Sequence, residues 1–234
     1  MSEVLHGMLP EFGFTAATML IFEAALWMTR RVEHPALNPT LLTILVIMAG
    51  LAAGRVPYPT YARGSEPLAW LLGPATVALG VPLARNLSAI IRDSAAIFVS
   101  LTSGALTAAI SGPLVLKVLG GTSVLGLAMA PKAATTPIAM VVAQEIGASP
   151  SLAAVFAIAG GVIVAIAARP LLGWFGIEDH RAFGLAAGVA GSGIGAAEAV
   201  ARDPEAGAYA ALGVGLTALA TALVVPALVA LGVV

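Results

Sequence analysis

A lysine lies between two prolines in a stretch that is otherwise apolar enough to be buried in a lipid bilayer. The stretch reads Pro131-Lys132-Ala133-Ala134-Thr135-Thr136-Pro137-Ile138-Ala139. Proline lacks a backbone donor and disfavours helix in the residue before it, so an unbroken helix is not expected here. A cation at bilayer depth is costly and is retained mainly where it faces a cavity, a partner or a substrate path. The stretch therefore predicts a broken membrane helix that handles an anion.

The composition places this stretch in a membrane protein. Of 234 residues, 59% are hydrophobic and only 10% are charged, with a mean hydropathy of +1.00. Soluble domains carry about 25% charged residues. The chain lacks cysteine, which excludes disulfides and thiolate chemistry. Its net charge of −1 argues against a nucleic-acid partner. We expect one all-α polytopic membrane domain over 1–234.

About eight membrane segments are predicted, judged against the roughly 20 apolar residues that cross a bilayer. They lie at 12–29, 40–55, 66–84, 94–118, 122–146, 150–168, 180–200 and 207–231. The pair Arg30-Arg31 follows the first segment, which predicts an N-terminus outside the cell. The stretch 72–82 holds two prolines and two glycines, so it is predicted to be a re-entrant hairpin or two half-helices.

The chain also resembles itself at an offset of about 57 residues. Pro74 then aligns with Pro131, and residues 132–136 align with 190–194. The predicted units are 65–120, 121–177 and 178–234, after N-terminal helices in 1–64. Breaks at corresponding positions of repeated units point to a transport site near the bilayer midplane. The alternative is chance similarity among helices rich in alanine, glycine and leucine.

The candidate binding site centres on Lys132, which offers a compact positive charge. Thr135 and Thr136 add hydroxyl groups, and a half-helix that begins near Pro137 would direct its positive end at an anion. Thr76 and Ser192 are predicted to contribute from equivalent breaks. The predicted helix breaks are Pro74, Pro131, Pro137, Gly191, Gly193 and Gly195. The alternative is that the lysine snorkels to an interface and the threonines bond within their own helix.

The glycine-rich stretch 188–198 leaves two interpretations open. Its glycines allow close helix packing, or they form a flexible break whose amides and Ser192 face a pocket. A nucleotide-binding loop would need a preceding strand in a soluble fold, so it is rejected. Glu198 follows the break and is the candidate for proton coupling, with Lys132 as its expected partner.

These motifs resemble those of the LrgB/CidB family of bacterial inner-membrane proteins, which also supplies the transport domain of the plastidic glycolate/glycerate translocator. The resemblance rests on Asn38-Pro39, Gly64-Ser65-Glu66, the run 72–79, the Pro-Lys-x-x-Thr-Thr-Pro-Ile-Ala stretch, Ile146-Gly147, Pro150-Ser151-Leu152, Gly193-Ile194-Gly195 and Gly207-Ala208. The family pattern at the last break is close to Ser-His-Gly-Ile-Gly-Thr-Ala-Arg. Here Ser-His is Gly191-Ser192, Thr is Ala196 and Arg is Glu198, which predicts a different anion or a different coupling from those of relatives.

The resemblance implies two accounts of function. One is a carrier of small monocarboxylates such as pyruvate, glycolate or glycerate. The other is an antiholin-like modulator of murein hydrolase export and cell lysis, acting with a small LrgA/CidA-type membrane partner. A lysine buried between prolines favours the carrier, with alternating access in the bacterial inner membrane and as a homodimer. A membrane enzyme is rejected because no paired carboxylates, metal-ligand cluster or nucleophile–base pair has a usable spacing, and no cofactor is expected.

Overall fold

The computed structural model describes the backbone of residues 2–32, 37–71, 74, 77–78 and 80–234, and their side chains other than those of 2–12, 80, 82 and 83. Over these residues every regular element is a helix and no strand occurs. The predicted all-α class is therefore confirmed. The chain forms two compact units, Met1–Ala78 and Leu79–Val234.

The first unit is a small group of helices. It consists of α1 (Ser2–Arg31), α2 (Pro39–Ala53), α3 (Tyr58–Gly64) and α4 (Glu66–Trp70). Asn38 caps α2, because its side-chain oxygen accepts from the first backbone amides of that helix. The Thr15 hydroxyl donates to the Gly64 carbonyl at 3.0 Å, and the hydroxyls of Thr18 and Tyr61 also lie 3.0 Å apart. These bonds hold α3 against α1.

The second unit contains most of the described helices. It consists of α5 (Gly80–Arg85), α6 (Leu87–Arg92), α7 (Ser94–Val118), α8 (Ser123–Met129), α9 (Thr136–Glu145), α10 (Pro150–Trp174), α11 (His180–Arg202) and α12 (Pro204–Ala230). Side-chain caps fix where the last three begin. Ser149, Asp179 and Asp203 each accept hydrogen bonds from backbone amides in the first turn of the helix that follows.

By length and composition alone, four described helices, α7, α10, α11 and α12, could cross a membrane. The chain is therefore a membrane protein, although the predicted number of eight segments is not reproduced. The predicted segment 122–146 is split into α8 and α9 rather than forming one helix. The predicted segment 66–84 includes residues outside those described, and its described part holds α4 and most of α5.

Helix α11 doubles back instead of running straight. Ser192 has φ 49° and ψ −141°, which is not helical. Nδ1 of His180, at the start, lies 3.6 Å from Oδ2 of Asp203, just beyond the end. Gly195 has no side chain, and a methyl group placed there would lie only 2.2 Å from the carbonyl oxygen of Ala187. The backbones of the two halves of α11 are therefore in direct contact. Residues 180–202, here called the second hairpin, thus enter and leave at one end of the unit, which corrects the predicted crossing at 180–200.

Residues 123–145, here called the first hairpin, also enter and leave at one end. Thr122, just before α8, lines a groove with Val234. Ile146, just after α9, packs with Val234 against one apolar cluster. Both ends of the first hairpin therefore lie near Val234, the C-terminal residue. Between them, residues 130–135 are not helical.

Candidate functional site

Lys132 lies in the break of the first hairpin, at the inner end of α8. Its ammonium Nζ donates to the carbonyl oxygen of Ala108 on α7, 3.1 Å away. Pro131 beside it is almost fully buried, and Lys132 itself is partly buried. One ammonium proton is thus used by the protein, and the other two donors remain available in a largely apolar interior.

A glycine on α7 makes room for the lysine side chain. A methyl group on Gly112 would lie 3.1 Å from Cε of Lys132 and 3.2 Å from Cγ of Met129. The absence of a side chain at Gly112 therefore allows the aliphatic part of Lys132 to lie flat on α7. This contact directs the ammonium along α7 towards Ala108.

The two threonines lie at the start of α9, on the other side of the same break. Thr135 is the residue before the first helical turn, with φ −61° and ψ 149°, and its side chain makes no capping hydrogen bond. Thr136 is the first residue of α9 and Pro137 the second. The amides of a first helical turn lack partners within the helix, so this end of α9 offers donors and a partial positive charge to an anion.

Ser192 forms the tip of the second hairpin and is 6% exposed. The tip packs on α10, where a methyl group on Gly161 would lie 3.0 Å from the Gly191 carbonyl oxygen and 3.1 Å from Cβ of Ile194. The half-helix after Ser192 starts at this tip, so its positive end also points inward.

The two breaks meet on the same turn of α10. A methyl group on Gly160 would lie 4.0 Å from the carbonyl oxygen of Lys132, and the neighbouring Gly161 faces Gly191. Two breaks from opposite ends of the unit thus approach each other near the middle of a 25-residue helix. The region contains one ammonium, three hydroxyls and two helix N-termini, which is a chemistry suited to a small anion.

One predicted site residue has a different partner from the one expected. Glu198 does not pair with Lys132. Its carboxylate accepts from Arg202, one turn further along, at 2.6 Å. Thr76 lies outside the described residues, so its expected contribution stays a prediction. Pro74 belongs to the first unit.

Sequence reasoning missed a polar network at the end of the unit where α7 begins. Oδ2 of Asp93 accepts from the Tyr209 hydroxyl at 2.5 Å and from the Arg181 guanidinium at 3.1 Å. The hydrogen bond from Tyr209, followed by the bond and charge of Arg181, lowers the pKa of Asp93 despite some desolvation. Arg181 also lies 3.6 Å from the Glu205 carboxylate. The network ties the second hairpin to α7 and α12.

Sequence reasoning also missed Thr217 on α12, a fully buried threonine whose hydroxyl has no hydrogen-bond partner. A threonine in an apolar helix is ordinarily satisfied by a hydrogen bond to its own helix, so no sequence pattern marks Thr217 as unusual. Over the described residues, no cluster of three or more histidine, aspartate or glutamate side chains is placed to hold a metal ion.

The chain is similar to a family of bacterial proteins over most of its length. The model of the LrgB-like family matches residues 18–231. An uncharacterized protein of Haemophilus influenzae is 30% identical over 213 residues, which cover 91% of this chain and 92% of that protein. The holin-like protein CidB of Staphylococcus epidermidis is 28% identical over 214 residues, which cover 92% of this chain and 93% of that protein. The holin-like protein CidB of Staphylococcus aureus has the same identity and coverage. No solved structure matches the chain.

Proposed function

The chain belongs to the LrgB-like family, and from this premise we propose that it is a membrane carrier for a small monocarboxylate such as glycolate, glycerate or pyruvate. The observation that carries the proposal is the position of Lys132 in a hairpin break that meets a second break on one turn of α10. The substrate carboxylate pairs with the Lys132 ammonium. The hydroxyls of Thr135, Thr136 and Ser192 and the first amides of the two inner half-helices supply further donors.

Transport follows from the arrangement of the two hairpins. Helix α7 with the first hairpin and α10 with the second hairpin are proposed to be repeated units of opposite orientation, in line with the offset seen in the sequence. In carriers with such repeats the substrate binds at the midplane, and each side opens in turn by movement of one part against the other. Each hairpin tip is then one of two gates over a shared site.

Glu198 is the proposed site of proton coupling. Its ion pair with Arg202 lies on the returning half of the second hairpin, six residues beyond Ser192. The carrier is proposed to work as a homodimer in the bacterial inner membrane, with an LrgA/CidA-like protein as a candidate partner.

A second function is favoured by the names of relatives. Staphylococcal relatives are described as holin-like, so an antiholin-like role in murein hydrolase export and cell lysis is the alternative. Such an assembly would permeabilise membranes without saturable dependence on a substrate. The buried ammonium is the reason to prefer the carrier, because lysis control does not require a cation in the membrane interior.

Counterflow in proteoliposomes separates the two functions. Liposomes preloaded with unlabelled glycolate should accumulate labelled glycolate saturably, and Lys132→Ala should abolish the accumulation. Lys117→Ala is the matched control, since Lys117 is the chain's other lysine and is exposed near the end of α7. Leakage of an entrapped dye, with no counterflow of any carboxylate, would support the holin-like alternative instead.

A further inference from the structure

Thr217 carries an orphan hydroxyl in the interior of the second unit. Its side chain is 0% exposed, and its Oγ1 is the one buried side-chain oxygen or nitrogen without a hydrogen-bond partner among the described residues. Several other helical threonines bond back to their own helix, as Thr18 does to Phe14 at 2.8 Å and Thr43 to Pro39 at 2.7 Å. A buried hydroxyl left unpaired costs free energy, so its retention needs a reason.

The position of Thr217 on α12 gives that reason. The first half of α12 packs on the second hairpin, with Ala206, Ala210 and Val214 in one cluster with residues of that hairpin. The second half packs on the first hairpin, where Val225 joins Ala130 and Val142. Thr217 lies between these halves, and its spacing from Ala210, Val214 and Val225 puts all of them on one face of the helix.

The depth of Thr217 also matches the two hairpin breaks. Gly184 and Gly188 pack directly on Ala206 and Ala210, so the second hairpin enters the unit parallel to α12 and in step with it. In that register Ser192 is level with Val214. Thr217 therefore lies about 5 Å deeper than the tip, at 1.5 Å per residue. At this depth Thr217 lies between the level of the Ser192 tip and Val225, which packs with Ala130 at the end of α8.

We propose that the Thr217 hydroxyl hydrogen-bonds the 2-oxygen of the substrate and so selects 2-hydroxy and 2-oxo monocarboxylates over acids that lack this oxygen. The inference rests on the proposed carrier function and adds a third element to its site. Lys132 binds the carboxylate from one side, and Thr217 reads the neighbouring oxygen from α12. A hydroxyl can accept from a 2-hydroxyl group or donate to a 2-oxo group, so one residue serves both kinds of substrate.

Selectivity is the expected consequence. An acid with a 2-oxygen satisfies the orphan hydroxyl, whereas acetate or propionate leaves it unpaired in a buried site. Sites built to bond a substrate oxygen discriminate against analogues without it for this reason.

The test compares substrates that differ only at the second carbon. Glycolate is paired with acetate, and pyruvate with propionate, as competitors of labelled glycolate counterflow. In Thr217→Val, which keeps the shape and removes the hydroxyl, glycolate and pyruvate should bind about tenfold more weakly, the size of one hydrogen bond. Acetate and propionate should be unaffected, and Thr217→Ser should keep the wild-type preference.

Thermal unfolding of the same variants provides a second readout. Thr217→Val should melt at or above the wild-type temperature because it removes an unpaired polar group. Thr43→Val is the matched control, since Thr43 is also buried but its hydroxyl is bonded to Pro39, and it should leave the preference for glycolate intact.

The outcomes separate this inference from the carrier proposal. An active Thr217→Val carrier that weakens all four acids equally, or that keeps the full preference for glycolate, would overturn the role of Thr217 alone. A clearly lower melting temperature with no change in preference would show that the hydroxyl serves packing. Folded wild-type protein that takes up none of the acids would contradict the proposed function itself, and this inference with it.

Discussion

Nδ1 of His180 lies 3.6 Å from Oδ2 of Asp203, although the 23-residue segment α11 begins at the one and ends just before the other. A straight helix of this length would hold the two side chains about 35 Å apart. The reversal at Ser192 brings them together and places a polar, irregular tip in the interior of a membrane protein. Non-helical backbone is tolerated at such depth only where protein or a water-filled cavity surrounds it.

Gly188→Ala should destabilise the protein because the second hairpin packs on α12 without space for a side chain. A methyl group at Gly188 would lie 2.2 Å from the Ala210 carbonyl oxygen, which is backbone and cannot rotate away. We expect a loss of roughly 1–3 kcal/mol or more in stability, seen as a lower melting temperature in detergent. Gly215→Ala is the control, since a methyl group there meets no atom within 4 Å. Equal melting temperatures for the two variants would contradict the close packing.

Gly112→Val should impair transport through Lys132 without changing the lysine. The added side chain would occupy the space taken by Cε of Lys132, which lies 3.1 Å from a methyl group at this position. The ammonium would move away from Ala108, so the KM for glycolate counterflow should rise at least tenfold. Gly112→Ala should have a smaller effect because the lysine side chain is flexible. Gly215→Val serves as control, and a wild-type KM for Gly112→Val would argue against the proposed binding role.

Asp93→Asn should lower the stability of the protein at neutral pH and make that stability less sensitive to a fall in pH. The pKa of Asp93 is lowered in the folded protein by the bonds from Tyr209 and Arg181. Its contribution is therefore complete above the ordinary value of 3.8 and is lost as the pH falls through the lowered folded-state pKa. The variant should melt lower than wild type at about pH 7, and the difference should shrink towards about pH 3.

A control for this prediction is Glu178→Gln, which neutralises an exposed acid just before the second hairpin. It should leave the melting temperature nearly unchanged at both pH values, as expected for an exposed charge. A difference between Asp93→Asn and wild type that stays constant across this pH range would contradict the assigned role of the ionised carboxylate.

Local backbone chemistry made part of this structure predictable. The prolines at 131 and 137 predict an interruption, and the chain is not helical from 130 to 135. The all-α class follows from composition, because only helices or closed barrels satisfy the backbone in lipid. The ion pair of Glu198 with Arg202 could also have been predicted, since Arg202 follows Glu198 at the spacing of a helical ion pair. The prediction of Lys132 as that partner overlooked this local alternative.

Long-range packing decided what the sequence left open. Whether the stretch 180–202 crosses the membrane or turns back depends on contacts such as Gly195 with Ala187 and Gly184 with Ala206. Glycine and alanine are common throughout this chain, so their pattern alone does not identify these contacts. The position of Thr217 between the hairpins is likewise a property of the packed helices, and no local motif marks it.

The most direct test of the account is whether substrate protects the tip of the second hairpin in a manner that requires Lys132. The chain has no cysteine, so Gly193→Cys adds a single thiol at an exposed position where a side chain meets no atom within 4 Å. Its alkylation by a small maleimide is measured in proteoliposomes, with Gly215→Cys as the control for reagent access. We predict that saturating glycolate slows labelling at position 193, that acetate does so much less, and that Lys132→Ala removes the protection. Labelling that glycolate leaves unchanged, in a variant that still catalyses counterflow, would contradict a binding site between the two breaks.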